Sequence, residues 1–405
     1  MHTLLIHQVF CLPHEPGGTR HYELASRCVT QGHRFTVVAS DVDYGSGRRR
    51  QDDDGDARLP SGLRVLRAYT PQTLHRGMIW RVWAFVVYML TAFWRGLRAG
   101  KVDLVMGTTP PIFQTVSAWL IARLKRCPFV LEVRDLWPEF AIDIGVLTHP
   151  LLISVARAFE LWLYRRADHI VVNSPYYRQY VIEKGIPADK VTLIANGVDP
   201  TGFDPDATGA SFRSRWSEPG QFVVAYAGAL GLANDIPTIL RAAARLKEHP
   251  QVVFWLVGDG AERKQLEAEA GFMGLRNVRF TGSQPKASMK EVLAASDACL
   301  ATLRDIPMFR TTYPNKVFDY LAAGRPIILG IDGVIREVVE AAGAGVFVPP
   351  GNDERLAEAV LALQADTGKS RAMGRAGREH VVRHFNREDQ AREFASLLAR
   401  VSSNG

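Results

Sequence analysis

The sequence YPNKVFDYLAAGRPIIL, residues 313–329, combines the local signals that decide the fold. A Tyr-Pro-Asn turn precedes a short helical pattern with a cation at Lys316 and a carboxylate at Asp319, and Gly324 ends that pattern before the apolar strand 327–329. A helix N-terminus carries unpaired N–H groups and a positive dipole, which favour a phosphate group. The pattern is therefore typical of a nucleotide-sugar site, although an ordinary amphipathic helix before a buried strand has the same pattern.

Strand and helix patterns alternate in the same order at the start of each half of the chain. In the first half, an apolar strand at 4–10 is followed by a Gly-rich loop, a helix at 19–31 and a strand at 35–39. In the second half, a strand at 223–226 is followed by a helix at 236–247 and another strand. Because such units form parallel sheets, the fold class is predicted to be α/β.

The length of the chain favours two domains, since 405 residues exceed the size of a single hydrophobic core. Residues 200–220 are rich in Pro, Gly and Ser and have no periodic pattern, which indicates a boundary. We predict two Rossmann-like, doubly wound parallel-sheet domains facing a central cleft, at 1–200 and 201–385. A C-terminal helix at 386–405 can cross back to the N-terminal domain. Ligands of such domains bind at the carboxyl ends of the strands.

Positive charge is concentrated in the first half of the chain. The net charge is +7; residues 1–200 contain 24 Lys and Arg against 18 Asp and Glu, and residues 201–405 contain 25 against 24. Residues 57–102 contain eight basic residues and no acidic one, which favours phospholipid, nucleic acid or a polyphosphate as partner. The four scattered cysteines and the absence of a basic, signal-like N-terminus indicate a cytosolic protein without disulfides or a zinc site.

The segment 79–97 is strongly apolar and aromatic. Its uncharged part, 82–94, is 13 residues long, whereas a helix that spans a bilayer needs roughly 20 apolar residues. Flanking Arg and Trp residues suit a helix that lies in the membrane interface, and the alternative is a core helix under the sheet. The candidate membrane contacts are Arg76, Arg81, Trp83, Trp94, Arg95 and Arg98.

Two further motifs follow predicted strands. Gly17 and Gly18 precede the first helix and allow a phosphate to approach the backbone, although a plain strand–helix turn has the same residues. Arg134, Asp135 and Glu139 follow a buried strand at the cleft end of the sheet. There a carboxylate can accept a proton from an acceptor hydroxyl, and an ion pair within the loop is the alternative.

Other motifs count against competing functions. The sequence Gly258-Asp259-Gly260 begins like a dinucleotide fingerprint, but Arg263 occupies the third glycine position. The D-x-D pattern at 41–43 also occurs in metal-dependent glycosyltransferases. In this chain it lies at the start of a polar loop, so a solvated loop is favoured over a metal site. No catalytic triad or zinc pattern is present in the sequence, and the basic segment contains no nucleic-acid recognition motif.

Over nearly its whole length the chain resembles the family-4 retaining glycosyltransferases of GT-B fold, most closely the bacterial L-fucosamine transferase and colanic acid branch, which builds lipid-linked surface polysaccharide. The most specific segments are PHEPGGTRHYELASRCVTQGHRFTVVAS at 13–40, VRDLWPE at 133–139, RRADHIVVNSPYYRQYVIEKGIP at 165–187, NGVD at 196–199, LVGDG at 256–260 and YPNKVFDYLAAGRPII at 313–328.

The resemblance implies that the C-terminal domain holds the nucleotide-diphosphate sugar and that the N-terminal Gly-rich loop closes over the diphosphate. Asp319 lies where a glutamate usually binds the ribose. The residues assigned to the donor are Gly17, Gly18, Gly258, Ser283, Gln284, Lys316 and Asp319. Arg134 lies where many members have a histidine beside the transferred sugar, and it is assigned to catalysis together with Asp135, Glu139 and Arg310. The residues assigned to the acceptor are His14, Arg20 and His21.

The chain departs from the family pattern at three positions. Thr311 replaces a frequent second glutamate, and Ala229 and Asn234 replace an Arg and a Lys that usually hold the diphosphate. Because some charge must balance the leaving diphosphate, we infer that Arg310 and Lys316 take over this role.

The predicted function is metal-independent, retaining transfer of a hexose or N-acetylaminosugar from a UDP-linked donor to a polyprenyl-diphosphate-linked saccharide. The enzyme is expected in the cytoplasm, peripheral on the inner face of the membrane, without a cofactor or a nucleic-acid partner. Two alternatives remain open: a non-catalytic nucleotide-sugar-binding subunit, and a UDP-sugar 2-epimerase-like or hydrolysing enzyme of the same fold.

Overall fold

A computed structural model of the chain describes residues 1–15, 17–43, 47–50, 59–73 and 76–403. The chain forms two compact units. The first unit comprises Met1–Leu12, Thr19–Ala195 and Glu388–Gly405, and the second comprises Pro13–Gly18 and Asn196–Arg387.

Strands and helices alternate in the first unit. Its elements are β1 (His2–Ile6), α1 (Arg20–Thr30), β2 (Arg34–Ser40), β3 (Leu63–Ala68), α2 (Met78–Leu97), β4 (Leu104–Thr108), α3 (Gln114–Lys125), β5 (Phe129–Val133), α4 (Glu139–Asp143), α5 (Pro150–Arg166), β6 (His169–Val172), α6 (Pro175–Glu183) and β7 (Val191–Leu193). The seven strands pair in the order β3-β2-β1-β4-β5-β6-β7, and every pair is parallel.

The second unit repeats this alternation with six strands. Its elements are α7 (Ala210–Trp216), β8 (Phe222–Ala227), α8 (Ile236–Arg245), β9 (Val252–Val257), α9 (Arg263–Phe272), β10 (Val278–Gly282), α10 (Met289–Ala294), β11 (Ala298–Thr302), α11 (Asn315–Ala322), β12 (Ile327–Gly330), α12 (Val334–Ala341), β13 (Gly345–Phe347), α13 (Asp353–Ala365) and α14 (Thr367–His384). The strand order is β10-β9-β8-β11-β12-β13, again parallel throughout.

The strand order of each sheet reverses direction at one point, between β1 and β4 in the first unit and between β8 and β11 in the second. In open parallel sheets, ligands bind in the crevice beyond the carboxyl ends of the strands at such a point. Both β8 and β9 are buried over their full length. Continuous apolar strands of this kind are expected where helices cover both faces of a parallel sheet.

A final helix, α15 (Arg387–Ser403), returns the chain to the first unit. Its apolar side chains, including Phe394 and Leu398, join the same core as Leu5 and Phe35 of the first two strands.

Helix α2 buries only one narrow side. Ala84, Tyr88, Ala92 and Gly96 recur at every fourth position and are buried, and the Tyr88 hydroxyl donates to the Val38 carbonyl at 2.7 Å. Small residues at this spacing let α2 pack closely on the sheet. The alternative of a core helix under the sheet therefore holds for the buried side of α2 and not for its other sides. Within the described ranges, no helix combines the length and the apolar character that crossing a bilayer requires.

Candidate functional site

The loops that follow β8 and β9 pack directly on each other in the second unit. The N–H of Leu230 donates to the Asp259 carbonyl at 2.9 Å. A Cβ added to Gly258, whose φ is +152°, would lie 1.8 Å from the carbonyl oxygen of Gly228. Gly258 is thus required for backbone packing, because any side chain there would collide with the neighbouring loop. Its contact with a donor base stays a prediction.

Lys316, in the first turn of α11, extends its side chain to the loop after β8. Its ammonium group donates to the Tyr226 hydroxyl at 2.8 Å and to Asn234 Oδ1 at 2.9 Å. The nitrogen also lies 4.1 Å from the centre of the Tyr226 ring. A Cβ added to Gly228 would come within 3.0 Å of this nitrogen, so the backbone of the loop passes close to it.

The partners of Lys316 are neutral. Within the described part of the chain, no carboxylate forms an ion pair with it. Burial lowers the pKa of Lys316 to about 7 because the charged form loses solvation. Within the described residues, Lys316 is thus held by two neutral partners and lacks a compensating charge. Its role at the diphosphate stays a prediction.

Asp319 lies one turn further along α11 and forms an ion pair with Lys286, Nζ to Oδ2, at 2.5 Å. Lys286, which lies in the loop after β10, was not among the predicted site residues. Its backbone N–H donates to the Glu15 carbonyl at 3.1 Å, within the loop 13–18 of the same unit. Lys286 therefore contacts both the predicted ribose carboxylate and the Gly-rich loop.

The Gly-rich loop also passes close to the start of α11. A Cβ added to Gly18 would lie 3.8 Å from Asn315 Nδ2, and Gly17 has a φ of +131°, which favours glycine. Both glycines are exposed. The structure thus brings Gly17, Gly18, Asp319 and the N-terminus of α11 into one region of the second unit.

Three other predicted donor or catalytic residues are more peripheral. Ser283 is exposed, and the side-chain amide of Gln284 donates to the Thr281 carbonyl at 3.4 Å. Arg310 is exposed and pairs with Asp305 at 2.8 Å. Arg310 thus forms a surface ion pair with Asp305 and does not contact Lys316. The role of Arg310 at the diphosphate stays a prediction.

In the first unit, Glu132 of β5 is fully buried at the centre of a charged network. Arg20 Nε donates to Glu132 Oε1 at 3.0 Å, and His21 Nε2 donates to Oε2 at 2.5 Å. The Arg20 guanidinium also donates to the carbonyls of Ile194 and Ala195, both at 2.7 Å. Burial alone would raise the pKa of Glu132, but the charges of His21 and Arg20 hold it well below its usual range.

Arg20 and His21, which were predicted to contact the acceptor, both belong to this network. Both side chains are buried and pair with Glu132. Their contact with an acceptor stays a prediction. His14, the third predicted acceptor residue, is exposed.

A second buried histidine adjoins the network. The ring centre of His7, which follows β1, lies 4.0 Å from that of His21, and His7 Nδ1 lies 2.7 Å from Thr108 Oγ1. Burial and the charges of His21 and Arg134 lower the pKa of His7 well below its usual range. His7 and Glu132 were not among the predicted site residues, although a glutamate inside the apolar strand FVLEV was a usable signal.

The residues predicted to act after β5, which are Arg134, Asp135 and Glu139, have different surroundings. Asp135 is partly buried, and burial raises its pKa to about 6 against the opposing charge of Arg134. Glu139 instead accepts two hydrogen bonds from Arg157 of α5, both at 2.8 Å, which lower its pKa. The ion pair of Glu139 is thus with a helix outside the loop, which differs from the predicted alternative of an ion pair within the loop. The catalytic roles of Arg134, Asp135 and Glu139 stay predictions.

The D-x-D pattern at 41–43 is occupied by local ion pairs. Asp41 pairs with Arg49 and also accepts from the Thr70 N–H at 2.8 Å, and Asp43 pairs with Arg50 at 3.5 Å. Across the residues that the structure covers, no three His, Cys, Asp or Glu side chains are grouped so as to hold a metal ion.

The predicted membrane residues lie on or beside the exposed sides of α2. Trp83 and Trp94 are 52% and 58% exposed. Arg76, Arg95 and Arg98 are exposed, and Arg81 is partly buried. We call the exposed residues of 76–98 the basic helix surface. It combines large apolar side chains with cations and contains no acidic residue.

Sequence comparisons cover both units. A family model described as glycosyl transferase 4-like domain matches residues 17–197, and one described as glycosyl transferases group 1 matches residues 210–380. The chain is 24% identical over 396 residues to the putative colanic acid biosynthesis glycosyl transferase WcaI of Escherichia coli, covering 92% of this chain and 93% of that one. It is 27% identical over 333 residues to a GDP-mannose-dependent alpha-mannosyltransferase of Mycobacterium tuberculosis, covering 82% and 80%.

Among solved structures, the Anabaena protein HepE in complex with UDP and glucose superposes with a TM-score of 0.74 at 20% identity, covering 99% of this chain and 100% of HepE. This similarity concerns the fold alone. Together with the two parallel sheets, it confirms the predicted GT-B fold class.

Proposed function

Because the chain belongs to the family-4 glycosyltransferases of GT-B fold, we propose that it transfers a hexose or N-acetylaminosugar from a UDP-linked donor to a polyprenyl-diphosphate-linked saccharide, with retention of configuration and without a metal. The likeness to WcaI, which is named for colanic acid biosynthesis, supports a role in surface polysaccharide. The HepE complex supports UDP as the nucleotide, and the mannosyltransferase relative makes GDP the competing choice.

The observation that carries this proposal is the uncompensated cation at Lys316. As the bond between the sugar and the diphosphate breaks, negative charge grows on the leaving oxygen, and a preorganised ammonium group stabilises it. Loss of one such contact typically lowers the rate about 10²- to 10³-fold. Gly17 and Gly18 are exposed residues, and their backbone N–H groups are the proposed neutral donors to the same ligand.

Asp319 is the proposed ribose residue. Its carboxylate pairs with Lys286, which restricts its orientation. Carboxylate oxygens are hydrogen-bond acceptors, as binding of ribose hydroxyls requires. Asp is one methylene shorter than the glutamate usual in the family, and the proposed role of Lys286 is to hold this shorter side chain in place for the ribose.

Asp135 is the proposed residue for the acceptor. Its pKa of about 6 keeps it ionised at neutral pH but close enough to exchange a proton. The carboxylate accepts a hydrogen bond from the acceptor hydroxyl while the new bond to the sugar forms. The neighbouring Arg134 favours the charged form of Asp135, which strengthens this hydrogen bond.

Release of UDP or GDP from a panel of nucleotide sugars, each with and without a synthetic polyprenyl-diphosphate saccharide, tests the proposal. Turnover that requires both donor and acceptor supports it. Lys316→Met is expected to lower turnover at least 10²-fold. Lys264→Met is the matched control because Lys264 is an exposed lysine of α9 in the same unit.

The other outcomes separate the alternatives. Binding of a nucleotide sugar without turnover on any acceptor indicates a non-catalytic binding subunit. Turnover of the donor without acceptor indicates an epimerase-like or hydrolysing enzyme. Activity that is lost in EDTA and restored by Mn²⁺ contradicts the metal-independent mechanism.

The basic helix surface is the proposed contact with the inner face of the cell membrane, where a lipid-linked acceptor resides. Its tryptophans suit the headgroup region, and its cations attract anionic lipid at about 1 kcal/mol each. The chain is expected to sediment with vesicles that contain anionic lipid at low salt and to dissociate as salt increases.

A double charge reversal, Arg95→Glu with Arg98→Glu, tests this contact. Loss of two attractions alone corresponds to about thirtyfold weaker binding, and the added repulsion weakens it further. The control is Arg215→Glu with Arg276→Glu, which makes the same change in net charge at exposed positions of the second unit. Equal vesicle binding by the two variants contradicts a role of this surface.

A further inference from the structure

Tyr226 occupies an unusual position for a tyrosine at the end of a buried strand. Its side chain is fully buried, yet it contacts the one lysine proposed to bind the donor. The hydroxyl donates to the Ala229 carbonyl at 2.8 Å and accepts from Lys316 Nζ at the same distance. Neither the family resemblance nor the sequence pattern assigned a role to this residue.

The hydrogen-bond inventory fixes the orientation of the phenol. A tyrosine hydroxyl has one hydrogen, and a backbone carbonyl can only accept, so that hydrogen is committed to Ala229. The lone pairs of the hydroxyl therefore face Lys316. Asn234 Oδ1 accepts a second hydrogen bond from the same nitrogen. Two of the three N–H donors of the ammonium group are thus used, and among the described residues no hydrogen-bond partner takes the third.

The aromatic ring of Tyr226 also contacts the Lys316 ammonium group, 4.1 Å from the ring centre. A cation close to the face of a tyrosine ring is attracted by the ring quadrupole. A free lysine side chain samples many rotamers, and fixing one of them when a ligand binds opposes binding. Tyr226 restricts this freedom with a neutral group, whereas a carboxylate in its place would cancel the charge that an anionic ligand needs.

We propose that Tyr226 is a positioning residue that holds the Lys316 ammonium group over the loop after β8, ready for the donor diphosphate. This inference rests on the proposed function, since it takes the ligand of Lys316 to be a diphosphate. Tyr226 itself does not touch the substrate.

The test compares Tyr226→Phe with wild type for binding of UDP and of uridine, or of GDP and guanosine if wild type prefers GDP. Loss of a hydrogen bond to a charged group is expected to weaken diphosphate binding about tenfold or more. Nucleoside binding is expected to stay within about twofold, since a nucleoside has no diphosphate for Lys316 to contact.

Tyr320→Phe is a matched control. Tyr320 is a second buried tyrosine of this unit, and its hydroxyl accepts from the N–H of Ala227, the residue after Tyr226. The control also loses a buried hydroxyl next to β8, but it leaves the contacts of Lys316 in place. We expect a comparable loss of thermal stability and unchanged UDP affinity.

A second readout separates positioning from general damage. Loss of the acceptor hydroxyl and of its fixed lone pairs disfavours the charged form of Lys316, so proton uptake on UDP binding at pH 7 is expected to rise from about 0.5 towards 1 in Tyr226→Phe. A purely structural role would leave this uptake unchanged.

The outcomes for the two proposals are distinct. If wild type binds neither UDP nor GDP, the proposed function fails. If wild type binds one of them and Tyr226→Phe binds it equally well with the same proton uptake, the positioning role is refuted while the function stands. If uridine binding falls as much as UDP binding, the effect is structural and the positioning role is likewise refuted.

Discussion

Binding of a nucleoside diphosphate at pH 8 is expected to add close to one proton to the protein, and Lys316 is the group that takes it up. In the ligand-free chain, burial lowers the pKa of Lys316 to about 7. At pH 8, about nine in ten of these amino groups are therefore neutral. A bound diphosphate favours the charged form and raises the pKa again. The expected uptake is about 0.9 proton per nucleotide at pH 8, where the terminal phosphate of the free nucleotide is already ionised.

The same pKa determines how affinity changes with pH. The charged fraction of Lys316 in the ligand-free chain falls about tenfold for each pH unit well above 7, so the Kd for UDP is expected to rise about tenfold between pH 8 and pH 9. Two neighbouring tyrosines do not titrate in this range, because burial raises the pKa values of Tyr226 and Tyr320. The nearby carboxylate, Asp319, is paired with Lys286.

Isothermal titration with UDP at pH 8 in HEPES and in Tris measures the uptake, because the two buffers differ in their ionisation enthalpy. Lys316→Arg carries a permanent charge and is expected to bind UDP without proton uptake. Lys264→Met, at an exposed lysine of the same unit, is expected to keep the full uptake. An uptake below about 0.2 proton in wild type at pH 8, or an undiminished uptake in Lys316→Arg, would refute the reasoning.

Three further predictions concern other parts of the chain. Asp135→Asn is expected to lower kcat about 10²- to 10⁴-fold while the Kd for the donor nucleotide stays unchanged. The kcat of the wild type is expected to fall below pH 6 because Asp135 gains a proton there. A pH profile of kcat that stays flat would contradict this role. Glu132→Gln leaves Arg20 buried without its counter-charge and is expected to destabilise the first unit by about 3–5 kcal/mol, visible as a lower melting temperature by circular dichroism. Gly258→Ala forces a Cβ against the Gly228 carbonyl and is expected to lower the melting temperature. The control is Gly271→Ala, at a helical glycine whose added Cβ meets no atom within 4 Å, and it is expected to leave the melting temperature unchanged.

The fold was predictable because its signals are local. Buried parallel strands appear as short apolar runs, and the helices between them begin and end at Gly, Pro and Asn residues that are visible in the sequence. The position of Lys316 in the first turn of α11 was also local, so its suitability for a phosphate could be recognised. Helix α2 was located from its pattern, but the sequence could not tell which of its sides packs on the sheet.

The support of each charged side chain was not predictable, since it comes from distant positions. Tyr226 and Asn234 lie 90 and 82 residues before Lys316 in the sequence, and in the sequence Tyr226 reads as one more core residue of an apolar strand. For the same reason Arg20, 112 residues before Glu132, resembled a surface cation beside a Gly-rich loop. Pairing at such distances depends on sheet order and register, which periodicity does not reveal.

The return of α15 to the first unit constrains how this protein can be made and recombined. Its apolar side chains belong to the core that also contains β1 and β2. A ribosome must therefore synthesise the whole second unit before the first unit can complete its core, so the second unit is able to finish folding earlier. For the same reason, a hybrid enzyme that combines the first unit with a foreign nucleotide-binding unit needs a second junction before Glu388 besides the first one after Ala195, and the short segment Pro13–Gly18 has to be matched to the new unit as well. A fusion that joins the partners only at the first junction would leave an apolar face of the first unit uncovered.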